Sequence, residues 1–91
     1  MSDQKPVELT IYGRAGCHLC DIAEQVLLDA QIRWSISLIK VDIESNDELF
    51  KRFLERIPVV ELAGVTLFEF EVDSASLDAA LSDAGTMRID R

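Results

Sequence analysis

The feature that most constrains the fold is an abrupt change of hydrophobic period between residues 12 and 19. Val7, Leu9 and Ile11 alternate with Glu8, Thr10 and Tyr12, the period-2 mark of a half-buried strand. Gly13-Arg14-Ala15-Gly16 then breaks the pattern with two glycines in four residues. From there the period is helical. Leu19, Ile22, Ala23, Val26, Leu27 and Ala30 fall at i, i+3, i+4, i+7, i+8 and i+11, with Asp21, Glu24, Gln25 and Asp29 on the other side. The spacing predicts a helix from about residue 18 to 30. Ile36 to Ile43 is rich in Ile, Leu and Val and reads as a second strand. A strand, a helix and a strand in succession call for a parallel pair with a right-handed crossover.

The second half punctuates itself. Ser45-Asn46-Asp47-Glu48 has the S-x-x-E form of a capping box. It predicts a helix with Leu49, Phe50, Phe53 and Leu54 facing inward, stopped by Pro58. Val59–Leu62 and Val65–Phe70 read as two short strands. Only Ala63-Gly64 separates them, the length of a tight hairpin, in which Gly64 supplies positive φ. Asp73-Ser74 caps a last helix with Leu77, Ala80, Leu81 and Ala84 on one stripe and Gly85 past its end. Thr86 to Arg91 is expected to fray. The order is β-α-β-α-β-β-α, an α/β fold in one domain over residues 1–91 with its core over about 7–84. The four phenylalanines, Phe50, Phe53, Phe68 and Phe70, and the lone Trp34 are expected to pack.

Charge and cysteine content narrow the chemistry. The formal net charge is −8, from 17 acidic and 9 basic residues. The cations Arg14, Arg33, Lys40, Lys51, Arg52, Arg56 and Arg88 are scattered, whereas nucleic-acid binding needs them clustered. The start, Met1-Ser2-Asp3-Gln4-Lys5-Pro6, is polar, and no apolar run is long enough for a signal peptide or a membrane span. A cytoplasmic setting follows as the expectation. In that setting a close cysteine pair is catalytic or metal-binding rather than structural.

The pair is Cys17-His18-Leu19-Cys20. Two cysteines three apart at a helix start share a face, with Cα atoms about 5.5 Å apart, so a disulfide can close between them. Cys17 falls where loop becomes helix. There, free backbone N–H groups and the positive end of the helix dipole favour a thiolate and lower its pKa from about 8.5. Cys17 is thus the candidate nucleophile and Cys20 the resolving thiol. A partly protonated His18 would tune the Cys17 thiolate. Arg14, three residues before Cys17, would stabilise the thiolate or bind an anionic substrate. Asp21 reads as a first-turn acid and Asp42 as a surface residue. The rival use of the same cysteines is metal. Structural zinc needs four ligands, and Cys17, Cys20 and His18 are too few. A site shared between two chains, or an iron–sulfur cluster completed by an outside thiol, stays open.

Leu9-Thr10-Ile11-Tyr12 leading into the cysteine pair, then Arg56-Ile57-Pro58-Val59-Val60 before a hairpin, resembles the glutaredoxin-like branch of the thioredoxin fold. The resemblance covers residues 7 to about 84. It implies a four-stranded mixed sheet, its first strand interior, flanked by three helices. It implies dithiol–disulfide oxidoreductase activity on a protein or small-molecule disulfide, with no bound cofactor and with glutathione or a reductase as electron donor, in a monomer. It also implies that Pro58 is a cis-proline facing the cysteines. The Ile57 backbone beside it would be able to pair with an extended substrate. Two features depart from the pattern. Phe70-Glu71-Val72-Asp73-Ser74 stands where glutaredoxins commonly carry a glycine pair, and Glu69 and Glu71 add negative charge there. The tryptophan before the first cysteine and the Gly-Pro between the cysteines, both thioredoxin hallmarks, are absent.

Overall fold

A computed structural model describes residues 5–89; the polar start Met1–Gln4 and the last two residues, Asp90 and Arg91, lie outside it. The elements run β1 (Val7–Gly13), α1 (His18–Arg33), β2 (Ile36–Asp42), a 3₁₀ turn (Ile43–Ser45), α2 (Asp47–Phe53), β3 (Val59–Leu62), β4 (Val65–Glu69) and α3 (Ser74–Asp83). The sheet order is β2-β1-β3-β4. β1 and β2 are parallel from Val7–Ile36 to Gly13–Asp42. β3 lies antiparallel to both β1 and β4. At the hairpin, Ala63 and Gly64 have φ of 51° and 82°, the paired positive values of a type I′ turn.

Side-chain alternation sends the strands' apolar residues to two cores. Leu9, Ile11, Ile36 and Val60 pack with Ala23, Leu27 and Ala30 of α1, with Leu77 and Leu81 of α3, and with Trp34. On the opposite sheet face a smaller cluster joins Ile43 and Val59 to Phe53 of α2, with Tyr12, Leu49, Phe50 and Ile57 packed against it. Tyr12 stacks on Phe53 with ring centroids 4.4 Å apart. Among the described residues, no helix is long and apolar enough to cross a membrane.

Several local expectations are revised. α1 runs one turn beyond Ala30, because Gln31, Ile32 and Arg33 are compatible with helix and nothing breaks it before Trp34. Its apolar stripe is only partly covered: Ala23, Leu27 and Ala30 are buried, while Leu19 and Ile22 stay open to solvent. Asn46, not Ser45, caps α2, its Oδ1 accepting the Glu48 and Leu49 N–H groups at 2.8 and 3.2 Å. Ser45 belongs instead to the 3₁₀ turn and donates to the Asp42 carbonyl. Leu54 and Phe70 are exposed rather than packed. The segment after α3 is tied down as far as Ile89. Ser35 N–H donates to Met87 O, Ile89 N–H donates to Arg33 O, and the Arg88 guanidinium stands 4.9 Å from the centre of the Trp34 ring.

Candidate active site

The site forms where β1 hands over to α1. Gly16 takes φ +78° to turn the loop, and Cys17, in extended conformation, becomes the N-cap of α1. Its Sγ does what a capping oxygen does elsewhere, accepting the Cys20 N–H at 3.2 Å. The two cysteines are joined as a disulfide with Cα atoms 5.2 Å apart. Cys17 is half-buried; Cys20, one turn into the helix, is buried. The sulfur that meets solvent is therefore also the one that lies on free helix N–H groups.

Gly13 is part of this arrangement, which the sequence does not signal beyond marking it as a break. A Cβ there would lie 3.0 Å from Cys20 Sγ and 3.2 Å from Cys20 Cβ. The end of β1 must be bare for the buried sulfur to sit against it. The β1–β3 register ends at Tyr12–Val59, so Pro58, the next residue, stands across from Gly13. The Ile57–Pro58 peptide is cis, and the buried Pro58 offers its carbonyl to the Phe70 N–H at 2.9 Å.

The other candidate residues are placed less simply. Ile57 N–H already donates to Phe53 O at 3.0 Å. The expectation that its backbone is open to a substrate strand is thus reduced to the carbonyl. Arg14 is bonded to Glu44 at 2.7 Å and stands over the Phe50 ring at 5.7 Å, a competitor for any pairing with a Cys17 thiolate or an anionic substrate. His18 heads α1 and is exposed. Tyr12 donates to Glu61 Oε1 at 3.2 Å. Burial and the nearby Glu61 carboxylate raise its pKa above the ordinary phenol value. Arg52 and Arg56 both lie over Phe53, at 5.1 and 5.3 Å, and Arg56 also pairs with Glu69. The Phe53 ring is therefore framed by two cations from its own helix and the turn that follows it. Among the described residues no three His, Cys, Asp or Glu side chains are grouped to hold a metal ion.

Comparison with known proteins agrees with this geometry. The family model for the glutaredoxin-like domain matches residues 8–82. A solved structure from X. campestris is similar at 32% identity with a TM-score of 0.71, covering 82% of this chain and 96% of that one. A glutaredoxin-like protein of Dictyostelium discoideum is 25% identical over 83 residues, spanning 85% of this chain and 77% of the relative. A glutaredoxin from Brucella melitensis, at 22% identity and a TM-score of 0.56, covers 92% of this chain and 87% of its own; at that identity the likeness shows the fold alone. With its thioredoxin/glutaredoxin fold and its Cys17–Cys20 pair, the chain belongs to the glutaredoxin-like domain family.

Proposed function

We propose that this protein is a dithiol–disulfide oxidoreductase with Cys17 as nucleophile and Cys20 as resolving thiol. The supporting observation is the capping geometry. Cys17 Sγ lies at the N-terminus of a sixteen-residue helix and receives the Cys20 N–H at 3.2 Å. Those groups stabilise an anion, so they favour a Cys17 thiolate once the disulfide is reduced. Attack on a substrate disulfide joins Cys17 to one substrate sulfur and releases the other as a thiolate. Cys20 then loses its proton and attacks the Cys17 sulfur. The Cys17–Cys20 disulfide closes and the second substrate thiol leaves; two electrons have passed to the substrate. His18 at the head of α1 adds positive charge when protonated. Pro58 forms the wall opposite Gly13, and the Ile57 carbonyl offers one acceptor to an extended substrate. Glutathione or a reductase returns the electrons, in the cytoplasm, to a monomeric protein.

The test equilibrates the protein across reduced/oxidised glutathione ratios, traps free thiols and weighs the products. A single two-electron midpoint in the range of about −220 to −320 mV is expected. Cys17→Ser should abolish disulfide reduction, and Cys20→Ser should accumulate a mixed disulfide on Cys17. A Cys17→Ser protein that still reduced disulfides would refute the assignment. If neither the disulfide nor an adduct formed, the redox reading would give way to metal binding.

A further inference from the structure

Beside the cysteine pair, on the flank where α1 faces the β4–α3 connection, lies a shallow groove. Leu19 and Ile22 of α1 form one side, and Phe70 and Val72 form the other. Three of these side chains are large, apolar and open: Leu19 is 44% exposed, Ile22 49% and Phe70 47%. Leu19 lies between the two cysteines, and the Phe70 N–H is bonded to Pro58. The groove therefore opens next to the disulfide. An apolar surface kept open at such a place points to a partner that covers it.

The backbone of Phe70 is a second, separate sign. Its φ is +71°, and the Glu71 N–H returns to Glu69 O at 2.8 Å. An i→i+2 bond across a residue of positive φ is the strained form of the γ-turn. A non-glycine residue held this way is strained, and such strain clusters at active sites and ligand clamps. Here the strain does not bury the ring; the ring stays exposed in the groove with Leu19 and Ile22.

Charge defines the rim. Glu71 and Asp73 are exposed, and neither has a cationic partner among the described residues. Asp73 accepts Ser76 Oγ–H and N–H at 2.7 and 2.9 Å, bonds that hold its carboxyl below the usual range. Glu69, by contrast, is neutralised by Arg56.

We propose that this groove selects polypeptide disulfides in which a large apolar side chain and a lysine or arginine lie within a few residues of the cysteine. The apolar side chain seats on Leu19, Ile22 and Phe70, and the cation faces Glu71 and Asp73. The proposal rests on the oxidoreductase reading and adds its substrate class. Glutathione has no large apolar side chain for the groove, and its two carboxylates outweigh its one ammonium, so its net charge is opposed by Glu71 and Asp73. The chemistry is the exchange already written: the substrate's S–S bond is reduced to two thiols while Cys17 and Cys20 are oxidised to a disulfide.

The test measures single-turnover oxidation of the reduced protein by symmetric disulfides of a short peptide, Ser-Cys-Ser-Phe-Lys. Two controls replace its Phe by Ser or its Lys by Glu; glutathione disulfide and hydroxyethyl disulfide complete the set. Each rate is divided by that of dithiothreitol with the same disulfide, which removes differences in intrinsic reactivity. The Phe/Lys peptide is expected to lead both controls and glutathione disulfide by about tenfold, the scale of one partly buried apolar side chain, with the charge-dependent part shrinking in high salt. Phe70→Gly, which also relieves the turn, should lower that lead about tenfold. Glu71→Lys should invert the preference between Lys and Glu peptides. Peptide rates within twofold of one another, alongside normal reaction with hydroxyethyl disulfide, would overturn the groove and leave the redox reading intact. Glutathione disulfide matching the Phe/Lys peptide would also overturn it, as would sedimentation at twice the chain mass, which assigns the patch to a second copy. Failure to react with any disulfide would instead remove the oxidoreductase reading itself.

Discussion

Gly13 and Asp78 show how single residues set the site and its support. A methyl at Gly13 would press on both Sγ and Cβ of Cys20. In the oxidised protein the Sγ is held by its bond to Cys17 and cannot turn away; in the reduced protein it can, while the Cβ contact is common to both states. Gly13→Ala should therefore disfavour the disulfide by about 1–3 kcal/mol, the usual cost of overpacking. That corresponds to a midpoint less negative by roughly 20–60 mV. Titration in glutathione buffers checks it, and an unchanged midpoint would mean β1 yields at no cost. Asp78 works at a distance from the cysteines. Its Oδ1 accepts the Trp34 Nε1–H at 2.9 Å and Arg33 Nη2 at 3.1 Å. These contacts, the indole first, hold its carboxyl below the usual range. A folded pKa below the unfolded value of about 3.9 gives stability that is present above that value and lost as pH falls through the folded pKa. Asp78→Asn should thus be less stable than the parent at pH 7, with the gap closing below about pH 4. Asp78→Ala, which strands a buried indole N–H, should cost about 1–3 kcal/mol at either pH. Urea unfolding at pH 7 and pH 3 reads both.

At the scale of elements, what was legible is what is local. The alternation of Val7, Leu9 and Ile11, the helical stripe after Cys17, the Ala63-Gly64 turn and the Asp73 cap each concern residues within one or two turns. The structure realises each as β1, α1, a type I′ hairpin and α3. The cysteine pair was legible for the same reason, since a break, an N-cap and one helical turn place both sulfurs. What depended on distant neighbours was not. Period shows which residues share a face of α1 but not how far the sheet and α3 extend over it, so Leu19 and Ile22 belong to the apolar stripe and still stay exposed. The sequence marks Gly13 only as a break and Phe70 only as an apolar residue, because the role of one depends on Cys20 across the loop and that of the other on Pro58, just before β3. Arg88 and Trp34, paired by a single bridge, turned an expected frayed end into a strap. The capping error is instructive: Ser45 fits the box by spacing, but the 3₁₀ turn uses it first. Asn46→Ala removes two bonds from a helix of only seven residues. It should cost about 1 kcal/mol, visible as a lower urea midpoint with unchanged slope, while Ser45→Ala should cost much less.

Across the whole molecule, the sheet divides its buried side chains unequally. Among the described residues, ten buried ones join β1, β2 and β3 to α1 and α3, whereas three join α2 and the 3₁₀ turn to the opposite face. β3 spans the division, with Val59 in the smaller cluster and the adjacent Val60 in the larger. Local opening follows the number of buried apolar contacts, so α2 should open before the sheet does. The consequence reaches the site, because the Ile57 N–H is held by Phe53 O at the end of α2. Loosening that end releases the N–H beside Pro58 and leaves both backbone groups of Ile57 open to an extended substrate. Native-state hydrogen exchange on the oxidised protein should give the α2 amides and Ile57 one shared opening free energy, lower than that of Leu9 and Ile11. Asn46→Ala should lower protection of α2 and of Ile57 together, by about one cap's worth, and change β1 little. Protection of Ile57 that followed Leu9 instead would show that β3 holds it and that α2 does not govern access to the site.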